Sequence, residues 1–313
     1  MVRSLALPHG FESIPDITAA QIRTKLRGTL LLMTNLKYVS ITAGHAFRYP
    51  GLDVSLLTGC PFRLHGLWDA SPGLGNPMYL NVCLSEQQDI RSWRPAGLCT
   101  LSSLQMGVLP HLTELTLMEL YLPHFTHQWP LQTLTIHFQY FKGLDTTKSF
   151  HVFQDTLTTL NCHGFEKSPG ELEQHMVVIT KGVPKLKHLE LSFVVDDKTV
   201  RSYLFLCYSW MLNEAFTQFD PRRLTSSISQ LLELETLVLV FGHGENDGLS
   251  VCNDDSHARE VAKEFVAGCP SLRQITLGTA GPLHLPICFF SSPDGGVHLE
   301  DFITTGRSQR WHA

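Results

Sequence analysis

One short apolar phrase recurs along this chain and constrains its fold more than any other feature. The phrase is apolar-x-x-apolar-x-apolar, and it is clearest as LTELTL from Leu112 and LQTLTI from Leu131. A strand alternates its side chains between two faces, so Leu115 and Leu117 share one face while Glu114 and Thr116 share the other. Leu112 sits at the strand entry and turns inward with the first pair. Clear copies also start at Leu36 (LKYVSI), Leu157 (LTTLNC), Leu186 (LKHLEL) and Leu272 (LRQITL). Val2 (VRSLAL) and Leu234 (LETLVL) carry an apolar residue at an outward position, and Leu64 (LHGLWD) and Ile90 (IRSWRP) are weaker. The gaps between successive starts are 34, 28, 26, 22, 19, 26, 29, 48 and 38 residues. A strand phrase repeated at such spacings predicts a stack of units, each covering its neighbour's core.

The material between the phrases supports alternating helix and strand. Pro110, Pro184 and Pro270 each stand two residues before the first anchor, where they punctuate a helix-to-strand junction. Asp16 caps a segment with Ile22, Leu26, Leu30 and Met33 on one stripe. Ser168 to Glu171 is a capping box with Pro169 at the first helical position, followed by Leu172, Met176 and Ile179 and ending at Gly182. Asp255 or Ser256 opens Ala258–Ala267, with Val261, Ala262, Phe265 and Val266 inward and Gly268 as the stop.

The long gap after Leu186 predicts a helix over Thr199–Phe219 and another over Leu224–Leu232. This insertion, residues 195–232, reads either as a bulge that contacts a partner or, more commonly, as a helix pair covering the core. Gly242–Asp255 is a polar loop, and Pro282–Trp311 reads as a cap. The expectation is one α/β domain. Residues 1–281 form a solenoid of about ten irregular repeats, and residues 282–313 form its C-terminal cap. The tight spacing of Leu112 and Leu131 predicts that their strands form the most regular part of the sheet.

Composition narrows the function. The chain has 313 residues, 43% hydrophobic and 17% charged, with a net charge of −5 and no long Lys/Arg run, which argues against nucleic acid as the main partner. Eight cysteines are scattered without a C-x-x-C pair, as expected of reduced, buried thiols. There is no N-glycosylation sequon, Pro8 and Glu12 come too early for a signal peptide, and the longest apolar run, Tyr203–Leu212, is too short to span a bilayer. A cytoplasmic or nuclear monomer without membrane attachment is expected.

The histidine-bearing stretches yield no site. His124 and His127 have no recognisable third ligand and read as loop histidines. His243, Glu245, Asp247, Asp254 and Asp255 lack calcium-loop spacing and read as a solvated acidic loop, a metal-dependent enzyme there being the remote alternative. Gly73–Pro77 is no phosphate cradle, and no nucleophile elbow or catalytic cysteine motif occurs. Arg222-Arg223 reads as a surface pair. No catalytic residue, metal or cofactor is expected.

What remains is surface. In the predicted solenoid the outward strand residues line one concave sheet, with helices and loops on the convex side. The partner-binding candidates are Tyr38, Trp68, Arg94, Glu114, Thr116, Thr133, Thr135, Asn161, His188 and Glu190, followed outward by Thr236, Val238, Gln274 and Thr276. Aromatic and Arg side chains dominate binding hot spots, which favours Tyr38, Trp68, Arg94 and His188 as anchors by residue type.

Units such as GCPSLRQITLG, GVPKLKHLELS and VLPHLTELTLME resemble the irregular leucine-rich repeats of F-box/leucine-rich-repeat proteins, particularly the fungal set. The opening VRSLALP, followed by MTNLKYVSI, and the DIRSWRP stretch are similar to that set as well. The resemblance implies an α/β horseshoe that selects a protein substrate for a cullin-RING ubiquitin ligase, reached through an adaptor that an N-terminal F-box would bind. Here the first repeat strand starts near Val2, and no F-box is evident. A free-standing leucine-rich-repeat adaptor unconnected to ubiquitin is the alternative.

Overall fold

The structure, a computed structural model, describes residues 3–6, 19–41, 54–69, 89–95, 110–119, 122, 125, 128–138, 150–163, 169–192, 221–242, 255–280, 287–291 and 297–300. It is an α/β architecture whose strands are mostly parallel. Strands β1 (Ser4–Ala6), β2 (Tyr38–Ile41), β3 (Gly66–Asp69), β4 (Ser92–Pro95) and β5 (Glu114–Met118) are followed by β6 (Thr133–His137) and β7 (Thr159–His163). Then come β8 (His188–Ser192), β9 (Thr236–Gly242), β10 (Gln274–Ala280), β11 (Ile287–Ser291) and β12 (Val297–Glu300). Each of β1 to β10 begins two residues after the first anchor of its phrase, including the weak copies at Leu64 and Ile90. The third anchors of those two copies, Asp69 and Pro95, are the last residues of their strands, where an inward apolar side chain is least needed.

The chain divides into two compact units, Met1–Leu117 with His124–Leu134, and Met118–Pro123 with Thr135–Ala313. In the first unit β1 to β5 pair in parallel and in chain order, with Ser4, Tyr38, Gly66, Ser92 and Glu114 in one cross-strand row. The same backbone device joins every rung. The carbonyl just before one strand accepts two consecutive N–H groups at the entry of the next. Arg3 O accepts from Lys37 and Tyr38, Lys37 O from His65 and Gly66, and His65 O from Arg91 and Ser92. Arg91 O then accepts from Thr113 and Glu114, and Thr113 O from Gln132 and Thr133, so β5 and the start of β6 continue the pattern. The inward anchors Leu36, Leu64, Ile90, Leu112 and Leu131 are buried, as are Val39, Leu67, Trp93, Leu115 and Leu134 above them. Helix α1 (Ala19–Leu32) buries Leu30, and its Arg27 guanidinium donates to the carbonyls of Leu56 and Thr58 at 3.2 and 2.8 Å. Those carbonyls belong to, or follow, the 3-10 turn Val54–Leu57, so one side chain supplies donors to a tight turn.

In the second unit β7, β8, β9 and β10 are parallel and in register. Thr158, Lys187 and Glu235 carbonyls repeat the two-donor device toward residues 187–188, 235–236 and 273–274. Three inward rows result: Leu157, Leu186, Leu234 and Leu272; Leu160, Leu189, Leu237 and Ile275; Cys162, Leu191, Leu239 and Leu277. All are at most 1% exposed. Burying such a side chain contributes about 1.5–3 kcal/mol. Helices α2 (Pro169–Gly182) and α4 (Asp255–Gly268) bury matching stripes, Leu172, Met176 and Ile179 on one and Val261, Ala262 and Phe265 on the other. The four-residue α3 (Thr225–Ile228) packs beside both. Arg223 pairs with Glu173 at 2.6 Å and Arg222 with Glu264 at 3.5 Å, so the basic pair before α3 is tied to α2 and α4. After β10 the ladder reverses: β11 is antiparallel to β10 and β12 to β11, and both pack near α4.

Two expectations need correction. The helix predicted over Leu224–Leu232 is only a 3-10 turn, Pro221–Leu224, and α3, because i to i+3 bonds from Gln230 to Ser227 and from Leu231 to Ile228 tighten and end it. The pairing of β9 with β10 runs over seven residues. There the alternation continues past the third anchor, in LVLVFG and ITLGTA. Val238 and Thr276, expected on display, are 2% and 1% exposed. The segments Thr199–Phe219, Gly73–Pro77, His124, His127, residues 243–254 and the tail from Asp301 lie outside the described residues. Among the described residues, no helix is long and apolar enough to cross a membrane.

Candidate functional site

The polar face of each sheet is what the repeated phrase leaves for interaction. In the first unit its leading row is Tyr38, Gly66, Ser92 and Glu114. Tyr38 is 53% exposed, and Glu114 is exposed as well. A Cβ on Gly66 would stand 2.7 Å from Tyr38 Cδ1, so the tyrosine ring lies across β3 in space that only glycine leaves free. The His65 ring meets Tyr38 edge-on at 6.3 Å. The second row holds Ser40, Trp68 and Arg94 as register partners. The Trp68 and Arg94 side chains lie outside the described residues. Thr116 and Thr133 are half-buried.

The second unit carries a denser polar cluster. Asn161 Nδ2 donates to Thr135 Oγ1 at 3.2 Å, joining β7 to β6, while Asn161 Oδ1 is buried without a hydrogen-bond partner. One position further along, the His137 and His163 rings stack at 5.3 Å, with an interplanar angle of 24°. The Phe138 N–H donates to His163 O at 2.7 Å and holds the two strand ends together. His163 Nδ1 lies 3.8 Å from Glu190 Oε1 on β8. His188 shares β8 with Glu190, and register places it opposite Thr159 and Thr236.

Burial sets the electrostatics of this cluster. It raises the Glu190 carboxyl from 4.5 to about 7 and lowers His188 below its ordinary value. At neutral pH the patch therefore presents a half-ionised carboxyl beside a neutral imidazole, a mixed donor and acceptor surface with little fixed charge. On the inward side, the Cys162 thiol is pushed well up, first by burial and then by Glu190 and Glu119, so it is a core residue rather than a nucleophile. Glu119 is itself buried, 3.7 Å from His175 Nε2 on α2, and His175 packs edge-on against Phe138. Among the described residues, no group of three or more His, Cys, Asp or Glu side chains is arranged to hold a metal ion.

Thr135, Asn161, His188 and Glu190 thus share one patch in the second unit. In the first unit, Tyr38 and Glu114 share one row. His137 and His163 escaped the sequence reading because they fall one step past the last anchor. The signal was present: LTIH and LNCH continue the outward alternation by one residue. No protein-family model matches this chain, and no curated protein matches it. The functional reading therefore rests on these faces.

Proposed function

We propose that this chain is a non-catalytic protein-interaction scaffold, an irregular leucine-rich-repeat solenoid that binds a protein through its outward sheet residues. The observation that carries the reading is the constant offset between phrase and strand. Ten strands start two residues after their anchors although the anchors are separated by 19 to 48 residues. The rungs therefore place their second and third spacer residues at matched positions, a display whose side chains can vary without reordering the backbone. The cluster of Asn161, His163, His188 and Glu190 adds support, because it places half-buried polar groups on the face away from the core.

By its resemblance to F-box/leucine-rich-repeat proteins, the partner is a substrate delivered to a cullin-RING ubiquitin ligase through an adaptor. The test is affinity purification of the full chain with cross-linking mass spectrometry, alongside a Tyr38→Ala/His188→Ala variant. Partners cross-linked beside Tyr38, Asn161 and His188, and lost in the variant, support the scaffold. Adaptor and cullin in the same eluate support the ligase reading, whereas a partner without them points to a free-standing adaptor. Partners that cross-link only away from the outward residues and survive the substitutions would overturn the proposal.

A further inference from the structure

The two-donor backbone device fixes one more line of residues, those just before each strand. In the first unit they are Arg3, Lys37, His65 and Arg91, one on each of the entries to β1 to β4, followed by Thr113. The bonds joining successive entries are all 2.7–3.1 Å long, so these residues step along a line at the strand spacing of about 4.8 Å. Arg63 adds to the line, and its carbonyl accepts from Lys37 Nζ at 3.5 Å. Arg3, Arg63 and Arg91 are exposed and Lys37 is half-buried. Among the described residues, none of these four cations is in an ion pair. Among the described residues, Asp89 stands exposed two residues before Arg91, and Glu114 lies exposed at the start of β5.

The second unit supplies an internal contrast. The same positions hold Thr158, Lys187, Glu235 and Arg273, and two of the three charges there, Lys187 and Glu235, are matched between rungs. Lys187 pairs with Glu235 at 3.7 Å and Lys185 with Asp155 at 3.1 Å. The chain as a whole carries a net charge of −5, so a row of unmatched cations in the first unit runs against its composition.

We propose that this strand-entry row is a docking strip for an acidic protein segment, one rich in Asp and Glu carboxylates. Guanidinium forks bind carboxylates in a bidentate fashion, and the long Arg and Lys stems bridge the mismatch between rung spacing and the roughly 6.7 Å repeat of same-face residues in an extended peptide. Separate carboxylates can also be spaced to avoid Asp89 and Glu114, which a continuous phosphate backbone would meet. The proposal stands apart from the sheet-face reading and uses different residues.

The test measures the anisotropy of a fluorescein-labelled oligoglutamate peptide against the full chain at low and high salt. Expected are salt-sensitive binding, a loss of about tenfold or more in an Arg3→Gln/Arg63→Gln/Arg91→Gln variant, and less than about a twofold change in Lys185→Gln/Lys187→Gln. Circular dichroism of the variants separates loss of binding from loss of fold. No binding, or an equal loss in both variants, overturns the proposal. Tighter binding of oligothymidylate than of oligoglutamate, lost in the same triple variant, overturns it in favour of nucleic acid.

Discussion

Glu190→Gln should stabilise this protein at alkaline pH and do little at acidic pH. The carboxyl sits on the sheet face with 13% of its side chain exposed, and burial raises its pKa from 4.5 to about 7. A folded-state value above the unfolded one means that the folded chain binds the extra proton between those limits. The associated stability is fully present below pH 4.5 and is lost as pH rises through about 7. The gap corresponds to about 3 kcal/mol at pH 8, reduced to about 2 kcal/mol by the remaining solvent contact. Glutamine keeps the shape and has no proton to lose. Urea unfolding of both proteins should therefore show the variant more stable by about 2 kcal/mol near pH 8, and by less than about 1 kcal/mol near pH 5. His163 Nδ1 lies 3.8 Å away, so a protonated His163 ring would favour the ionised carboxylate. A pH-independent difference, or a variant less stable near pH 8, would refute the reasoning.

Other consequences follow from the core. Leu237 is fully buried in the middle row of the second unit, so Leu237→Ala should cost about 2–5 kcal/mol in urea unfolding, and a loss below about 1 kcal/mol would contradict the row. A Cβ on Gly182 would stand 2.5 Å from Phe150 Cβ, so Gly182→Ala should destabilise by about 1–3 kcal/mol, and a neutral result would mean that α2 does not end against Phe150. The Cys162 thiol should resist iodoacetamide in the folded protein and react once urea unfolds it, as followed by peptide mapping.

The strand positions were legible in the sequence because the phrase itself encodes them. Three inward side chains at fixed offsets leave one register, and a slip by one residue would turn Leu160, Leu189, Leu237 and Ile275 out of the core. The intervening segments can then differ in length without disturbing the ladder, since each phrase sets its own register anew. The three long helices were legible from their apolar stripes, their proposed caps Asp16 and Ser168 lying outside the described residues, whereas α3 was overestimated because its apolar pattern runs on into the turn before β9. Cross-strand partnerships were harder to read. That His163 would stack on His137 and approach Glu190 depends on strands extending past the last anchor, which a six-residue template does not cover. The burial of Val238 agrees with its apolar side chain at an outward position, whereas that of Thr276 has no counterpart in the local pattern. The part of Gly66 in receiving the Tyr38 ring emerges only from the neighbouring strand.

Methyl-methyl nuclear Overhauser contacts in the second unit test the ladder most directly. The parallel register predicts contacts for Leu160 with Leu189, Leu189 with Leu237 and Leu237 with Ile275, with Leu191 contacting Leu239 one step above. Contacts linking Leu160 to Leu191 and Leu189 to Leu239, without the in-register set, would mean that the rungs are shifted or reversed and that no repeated outward face exists.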